Sequence, residues 1–529
     1  MFKALMIFAT VVLLFALIVL CAYAWNLMTF PYDYDQGEGF ELVDTILFSQ
    51  FRSPYQNTDS YPFYSSNYPP LYHVIAAPFV WIFGESYWYG RLLSLLSALI
   101  AAIAIGFAVY REGHHRWIAL LSGLAFLSSN TIYHIAPLLR QHIMMVMFET
   151  VAIVILVQAY PKRQKCWILI GLLLIIAAGY TKQLAAITAI AVIAWMILRN
   201  PRRGILWTLG FTITGGLIFA WMTLATNGEW WRQAIVANVN AFDPFQTFGL
   251  AWLWLRLHAF LIIPALLLVL HDIYFERLSL YSIWFIGSVI LGAAGSGTWG
   301  AGDSYFATAI AAMCILSGIF FSRIIQRIWI FRDNYIKRFF QLARAHIGSP
   351  LQALYRIAIL LIPILYLSYG ISTFKMPTDG AIFGTIADVL GIEANVLDRH
   401  YDSATYDVLG YANIGHFVTA DDRVAGDFIT EQIRQTDAPV MSEEAGFSLV
   451  AGRDVITNPT QLRNLWLADL WDGSDLLSMI ENREFGLIIL RAQFYPTPAL
   501  EMMGQHYTID DVIVMNGFEY WLLRPLSSE

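Results

Sequence analysis

Charge is scarce in this chain. Asp, Glu, Lys and Arg make up 13% of its 529 residues, about half the ~25% share of an ordinary soluble domain. Hydrophobic residues reach 58%. So much apolar surface excludes a soluble globular protein and implies a polytopic α-helical membrane protein. Cysteine is nearly absent too. Cys21, Cys166 and Cys314 all sit in or beside apolar runs, so no disulfide framework is implied. No basic patch is interleaved with aromatics, which argues against a nucleic-acid partner. No nucleotide site is found, and the polar C-terminal region lacks a Gly-rich phosphate loop, a metal-ligand cluster and a nucleophile elbow.

What the chain has instead is long apolar runs. Eleven are candidates to span: 4–25, 88–110, 117–136, 142–160, 166–181, 184–199, 204–226, 250–270, 279–296, 304–324 and 355–373. The first exceeds the length of a signal-peptide core and reads as an uncleaved transmembrane helix. Basic clusters follow the even-numbered runs only: Arg111 with Arg116, Lys162–Lys165, Arg199–Arg203, Arg277, and Arg323 through Arg344. Lysine and arginine mark cytoplasmic loops. The N-terminus is therefore expected inside, and the 26–87 loop, the 227–249 loop and the C-terminal region outside. Residues 70–84 are apolar but too short to span, and Pro78 interrupts them. They read as a helix lying at the outer interface. The basic, aromatic segment 325–354 reads as a cytoplasmic amphipathic helix on anionic lipid.

Residues 375–529 change character. They hold more than half of the acids and alternate polar helices with short apolar strands, as expected of a small extracytoplasmic α/β domain. A helix, turn and strand are expected across 427–445, helices at 460–470 and 473–483, and strands at 486–490 and 512–524. The division is then a transmembrane module over 1–374 and an outer domain over 375–529.

The most informative stretch is 31–73. Asp33, Asp35, Glu38, Glu41 and Asp44 place five carboxylates in twelve residues, with Arg52 the one cation of the stretch. Crowded carboxylates beside a membrane repel one another, which raises some of their pKa values and suits one of them to general-base work. A merely solvated acidic loop is the plain alternative. Other outer loops add Arg140, Gln141 and His142, then Lys182 and Gln183, then Asp303, Ser304 and Tyr305. Each loop is a few residues long, so these side chains sit near the membrane surface and can converge on one outward-facing cavity. Arg140 and Lys182 have the chemistry to hold a phosphate. Snorkelling toward lipid headgroups is the alternative for both.

YDQGEGFEL from Tyr34, YPPLYH at 68–73, FGESYWYGRLLSLLSAL at 83–99, AGYTKQLAAI at 178–187, GDSYFATAIAAMCILSG at 302–318 and EEAGFSLVAGRDV at 443–455 occur in that order. Together they resemble GT-C membrane glycosyltransferases of the protein O-mannosyltransferase and aminoarabinose-transferase type, over nearly the whole length. The resemblance implies a dolichyl- or undecaprenyl-phosphate sugar donor, an extracytoplasmic acceptor (lipid, glycan or protein) and transfer with inversion. Carried over by motif, Asp35 is the catalytic base and Lys182 a phosphate ligand; from the residues themselves, Glu38, Glu41 and Asp44 are second candidates for the base. Arg140, His142, Tyr72, His73, Gln183, Asp303 and Tyr305 complete the expected substrate-binding set. Two departures from the family pattern stand out. Pro69 occupies a position where some relatives carry Lys, and Arg140-Gln141-His142 replaces an Arg-x-Asp motif. They leave the donor's identity and any divalent-metal requirement open. A bacterial or archaeal plasma membrane is the expected location, and membrane lipid a partner. The competing reading is a transporter or flippase of a lipid-linked sugar, for which inverted repeats would be the sign.

Overall fold

The computed structural model describes residues 1–329, 338, 350–404 and 415–527, the side chains of 350–353 aside. A helix occupies each of the eleven apolar runs. They are α1 (Phe2–Met28), α4 (Trp88–Gly113), α5 (Arg116–Ser128), α7 (His142–Ala159), α8 (Lys165–Thr181), α9 (Ala186–Arg199), α10 (Pro201–Ala225), α12 (Pro244–Phe275), α13 (Leu280–Ser296), α14 (Ala307–Gln326) and α15 (Pro350–Ser372); the run 117–136 breaks after α5 into a second, short helix, α6 (Asn130–Ile135), and another short helix, α11 (Glu229–Ala234), follows α10. Seven of these segments are both long and apolar enough to cross a membrane alone: α1, α4, α7, α10, α12, α14 with its leading turn, and α15. The other four are 13 to 17 residues long. The protein is integral to the membrane.

Composition explains where each helix sits. α14 is rich in Ala, Ser and Gly and is the most buried of the long helices, packed against α4, α5, α7, α12 and α13. Small residues let backbones approach closely. At Gly318 the neighbours Ser122 and Val109 occupy the space a side chain would need. α10 is the opposite case. Its Leu206, Leu209, Leu217 and Trp221 are exposed, as lipid-facing side chains are. Glu149 in α7 is fully buried, and both of its oxygens accept hydrogen bonds, from Thr188 at 2.5 Å and Thr308 at 2.7 Å.

Between α1 and α4 the chain forms α2 (Glu38–Ser49) and α3 (Leu71–Phe83). At 1.5 Å per residue, the thirteen residues of α3 reach about 20 Å, short of the ~30 Å hydrocarbon core. α3 packs on α2, and the Trp81 indole donates to the Ser49 carbonyl at 2.7 Å. Most of the expected amphipathic segment 325–354 lies outside the described residues.

The C-terminal region is α/β. β1 (Lys375–Pro377) pairs antiparallel with β2 (His400–Asp402). A four-stranded sheet orders β3 (Val440–Ser442), β4 (Leu487–Leu490), β6 (Phe518–Pro525) and β5 (Tyr507–Met515), with β3–β4 parallel and the other pairs antiparallel. The strand expected over 512–524 is in fact two. The chain reverses at Asn516-Gly517, both with positive φ (54° and 78°). Asn-Gly between apolar runs is a strong hairpin signal, and reading the run as one strand overlooked it. Helices Pro459–Leu467 and Ser474–Glu481 lie where expected, each a little shorter.

Candidate active site

The five carboxylates of the first loop are buried, and the fold gives them separate partners. Glu38 forms a two-pronged pair with Arg91 of α4, Nε to Oε1 at 2.9 Å and Nη2 to Oε2 at 2.8 Å. It also accepts from the backbone N–H of Leu139 at 2.7 Å and of Tyr34 at 3.0 Å. Burial opposes its ionisation, but the Arg91 charge and these hydrogen bonds prevail and hold the carboxyl below its usual pKa. Arg91 donates further to the carbonyls of Leu27, Phe30 and Tyr32. Glu38 thus ties α1, α2 and α4 together.

Asp33 points the other way. It accepts from the backbone N–H of Gly39, from Gly446 of the C-terminal region at 2.7 Å, and from the Tyr87 hydroxyl at 3.1 Å. Burial, then the charge of Glu38, lifts its pKa to about 7. Asp44 accepts from Tyr64 at 2.8 Å and Ser66 at 2.5 Å.

Asp35 is held by Arg140. The guanidinium donates through Nε, at 2.8 Å, and through Nη2 to one oxygen, Oδ2. Oδ1 is buried and has no hydrogen-bond partner among the described residues. Gly37 makes this pairing feasible, because the Arg140 guanidinium occupies the space a Cβ would take. Gly39 does the same for Asp33. The two glycines of YDQGEGFEL are therefore close-approach positions. Arg140 Nη1 also lies 3.7 Å from Glu41 Oε1, and Glu41 Oε2 lies 3.2 Å from His73 Nε2.

Beside this group lies a cavity of about 480 Å³. Gln36, Gly37, Glu41 and Arg140 form one side, and Tyr68, Lys182, Gln183 and Tyr305 continue it. Lys182 follows α8 and is buried. Its Nζ lies 3.3 Å from His142 Nδ1 and 4.3 Å from the Tyr68 ring centroid. Among the described residues no carboxylate lies within ion-pair distance of it. Burial, then the nearby Arg140, lowers its ammonium to about 7. Such a cation gains most from an incoming anion, because the anion relieves the cost of charging it.

The expected set is therefore only partly brought together. Lys182, Gln183, Arg140 and Tyr305 line the cavity, and His142 sits just behind Lys182, its Nε2 3.3 Å from Ser304 Oγ. Glu38 lies away from the cavity, in the Arg91 pair. Tyr72 is buried, donating to the Gly90 carbonyl at 3.0 Å. His73 lies beneath Glu41, with Nδ1 3.2 Å from Thr45. Asp303 accepts from Thr131 at 2.8 Å. None of these four reaches the cavity lining.

Sequence reasoning did not single out the rest of the lining. Asn238 and Asn240 precede α12, Gln246 lies in its first turn, and Asn458, Thr460, Asn464 and Phe494 come from the C-terminal region. The one local signal was Asn458-Pro459, which reads as a helix cap. Asn458 is that cap, accepting from Gln461 N–H at 3.3 Å, and it also donates to the Ser65 carbonyl at 3.0 Å. On the metal question, the described residues contain no group of three or more His, Cys, Asp or Glu arranged to hold an ion.

Residues 67–230 match the family model described as dolichyl-phosphate-mannose-protein mannosyltransferase. The stretch includes Arg140, His142 and Lys182. No curated protein matches by sequence. The fold is similar to that of ArnT from Cupriavidus metallidurans bound to undecaprenyl phosphate. The TM-score is 0.58 at 14% identity, over 97% of each chain. The apo state of that protein gives 0.57 and 14% over 96% of each. The Archaeoglobus fulgidus oligosaccharyltransferase tethered with an acceptor peptide gives 0.53 and 12%, over 98% of this chain and 74% of that one. The fold of this chain is thus similar to the folds of ArnT and of the archaeal oligosaccharyltransferase.

Proposed function

We propose that the chain is an inverting glycosyltransferase that moves a sugar from a polyprenyl-phosphate donor to an acceptor hydroxyl or amine outside the cytoplasm. The family match and the fold indicate a glycosyltransferase. The solved relative with undecaprenyl phosphate supports a polyprenyl-phosphate donor. Neither comparison favours a transporter. The observation that carries the reading is the arrangement of Asp35 just behind the lining, next to Gln36 and fixed through Oδ2 by the lining residue Arg140 with Oδ1 unpartnered among the described residues, and of Lys182 in the lining, a buried cation with no carboxylate at ion-pair distance among the described residues.

The chemistry follows from their placement. The acceptor's O–H or N–H gives its proton to Asp35 as its lone pair attacks C1 of the sugar. The C1–O bond to phosphate breaks, and polyprenyl phosphate leaves as an anion. One displacement inverts C1. Lys182 meets the charge that develops on the leaving phosphate. Arg140 fixes the rotamer of Asp35 and adds positive charge beside the same phosphate. The outer placement of this cavity follows from the basic loops at the opposite helix ends.

Transfer from a panel of polyprenyl-phosphate sugars in proteoliposomes tests this. Asp35→Asn should abolish transfer while donor binding persists, and Lys182→Ala should weaken both. Full activity in Asp35→Asn overturns the assignment.

A further inference from the structure

The cavity also carries information about the sugar. We infer that it takes an uncharged, hydroxyl-rich sugar and discriminates against uronates and amino sugars, with part of that reading done by the C-terminal region through Asn464. This rests on the glycosyltransferase reading above.

Side-chain amides are prominent in the cavity lining, and most are already fixed by the backbone. Gln246 Nε2 donates to the carbonyls of Ser296 at 2.7 Å, Thr298 at 3.0 Å and Ala301 at 3.3 Å. Asn238 Nδ2 donates to those of Asn67, Gln233 and Ala234. Gln183 Nε2 donates to Asn67 and Ala234, and Asn240 Nδ2 to Trp299 at 3.3 Å. A carbonyl oxygen only accepts, so each of these contacts must be made by the amide nitrogen. The nitrogen ends of Gln183, Asn238 and Gln246 are fully engaged and that of Asn240 makes one contact, whereas the oxygen ends of all four have no hydrogen-bond partner among the described residues. Asn464 repeats the pattern. Its Nδ2 faces Gln461 Oε1 at 3.3 Å, and its Oδ1 is buried without a partner.

These five residues therefore offer acceptors to whatever fills the cavity. Sugar hydroxyls donate to acceptors, whereas a carboxylate brings only acceptors of its own. Burying such a charge against unpaired oxygens is costly, and the two lining cations, Lys182 and Arg140, are taken by the donor phosphate in the reading above. An amino sugar meets a different obstacle. Glu41 is the only acid in the lining, engaged by His73 and Arg140, and the other two charges are cations. The apolar element suits a sugar's C–H face. Trp299 is braced by the Arg463 guanidinium, 3.8 Å from its ring centroid, and by Phe494 edge-on at 5.8 Å.

The test compares three polyprenyl-phosphate donors carrying a neutral hexose, a hexuronate and an aminopentose. Turnover in proteoliposomes and retention of the labelled donor by the purified protein are both measured. The hexose donor should be turned over and retained best, with each charged donor at least about tenfold poorer, a difference worth about 1.4 kcal/mol. Asn464→Leu should raise the KM for the hexose donor about tenfold with kcat little changed, as loss of one hydrogen-bond acceptor predicts. Asn464→Asp should narrow the gap between aminopentose and hexose. Equal or better use of either charged donor overturns the inference and leaves the glycosyltransferase reading intact. If no donor is turned over, that reading fails, and retention alone decides the inference: preferential retention of the hexose donor supports it, and indifference overturns it.

Discussion

Arg140 donates twice to a single oxygen of Asp35 and leaves the other oxygen without a partner. A carboxylate held this way has one rotamer and one free lone-pair face. Arg140 comes from the loop before α7 and Asp35 from the loop before α2, so neither segment alone places the proposed base.

Arg140→Lys should therefore be a poor replacement. Lysine keeps the charge but loses the planar fork that fixes Asp35. Transfer should fall by about 100-fold, the cost of misplacing a reacting group by about 1 Å. Steady-state kinetics with the preferred donor checks this, and recovery of most activity by lysine would count against a positioning role.

Gly37→Ala should reproduce much of that loss without touching a polar group. Its Cβ meets the Arg140 guanidinium, so the arginine must move. The expected result is a lower kcat with nearly unchanged thermal stability. Wild-type kcat in this variant would show that the guanidinium has room to shift.

Lys182 sets a pH dependence. Its pKa of about 7, lowered by burial and then by Arg140, means that it loses its proton as pH rises through neutrality. The donor's phosphodiester keeps one negative charge throughout. Donor affinity should therefore fall by about tenfold between pH 6 and pH 8. In Lys182→Arg the decline should disappear, because arginine stays charged. Equal affinities at both pH values in the wild type would remove Lys182 as the phosphate ligand.

Glu38→Gln tests the division of labour among the carboxylates. It leaves Arg91 buried without its counter-charge, which should cost about 3–5 kcal/mol. Folded yield and thermal stability in detergent should drop sharply, whereas Asp35→Asn should leave both close to wild type. Similar stability for the two variants would mean that Glu38 is not the structural partner of Arg91.

The sequence by itself determined the elements. Eleven apolar runs became eleven helices, because a segment that must satisfy its backbone inside lipid has little choice but helix. The outer polar clusters and the first-loop acids were equally legible, since charge beside a bilayer is rare enough to stand out. Loop length also put Lys182, Gln183, Arg140 and Tyr305 at helix ends, near the membrane surface, from which they could converge. Tertiary structure decided what those groups do. Asp35 and Glu38 are three residues apart and chemically alike. Glu38 meets Arg91 and Leu139 in a buried structural pair, whereas Asp35 meets Arg140, which lines the cavity. The amides are a second case: Asn238, Gln246 and Asn464 are ordinary polar residues until the fold gathers them into the lining that Lys182 shares. The physical reason is the same in both. Helix formation depends on neighbours along the chain, but the role of a carboxylate or an amide is set by partners that may stand hundreds of residues away in sequence, and these are brought within hydrogen-bonding distance by packing alone.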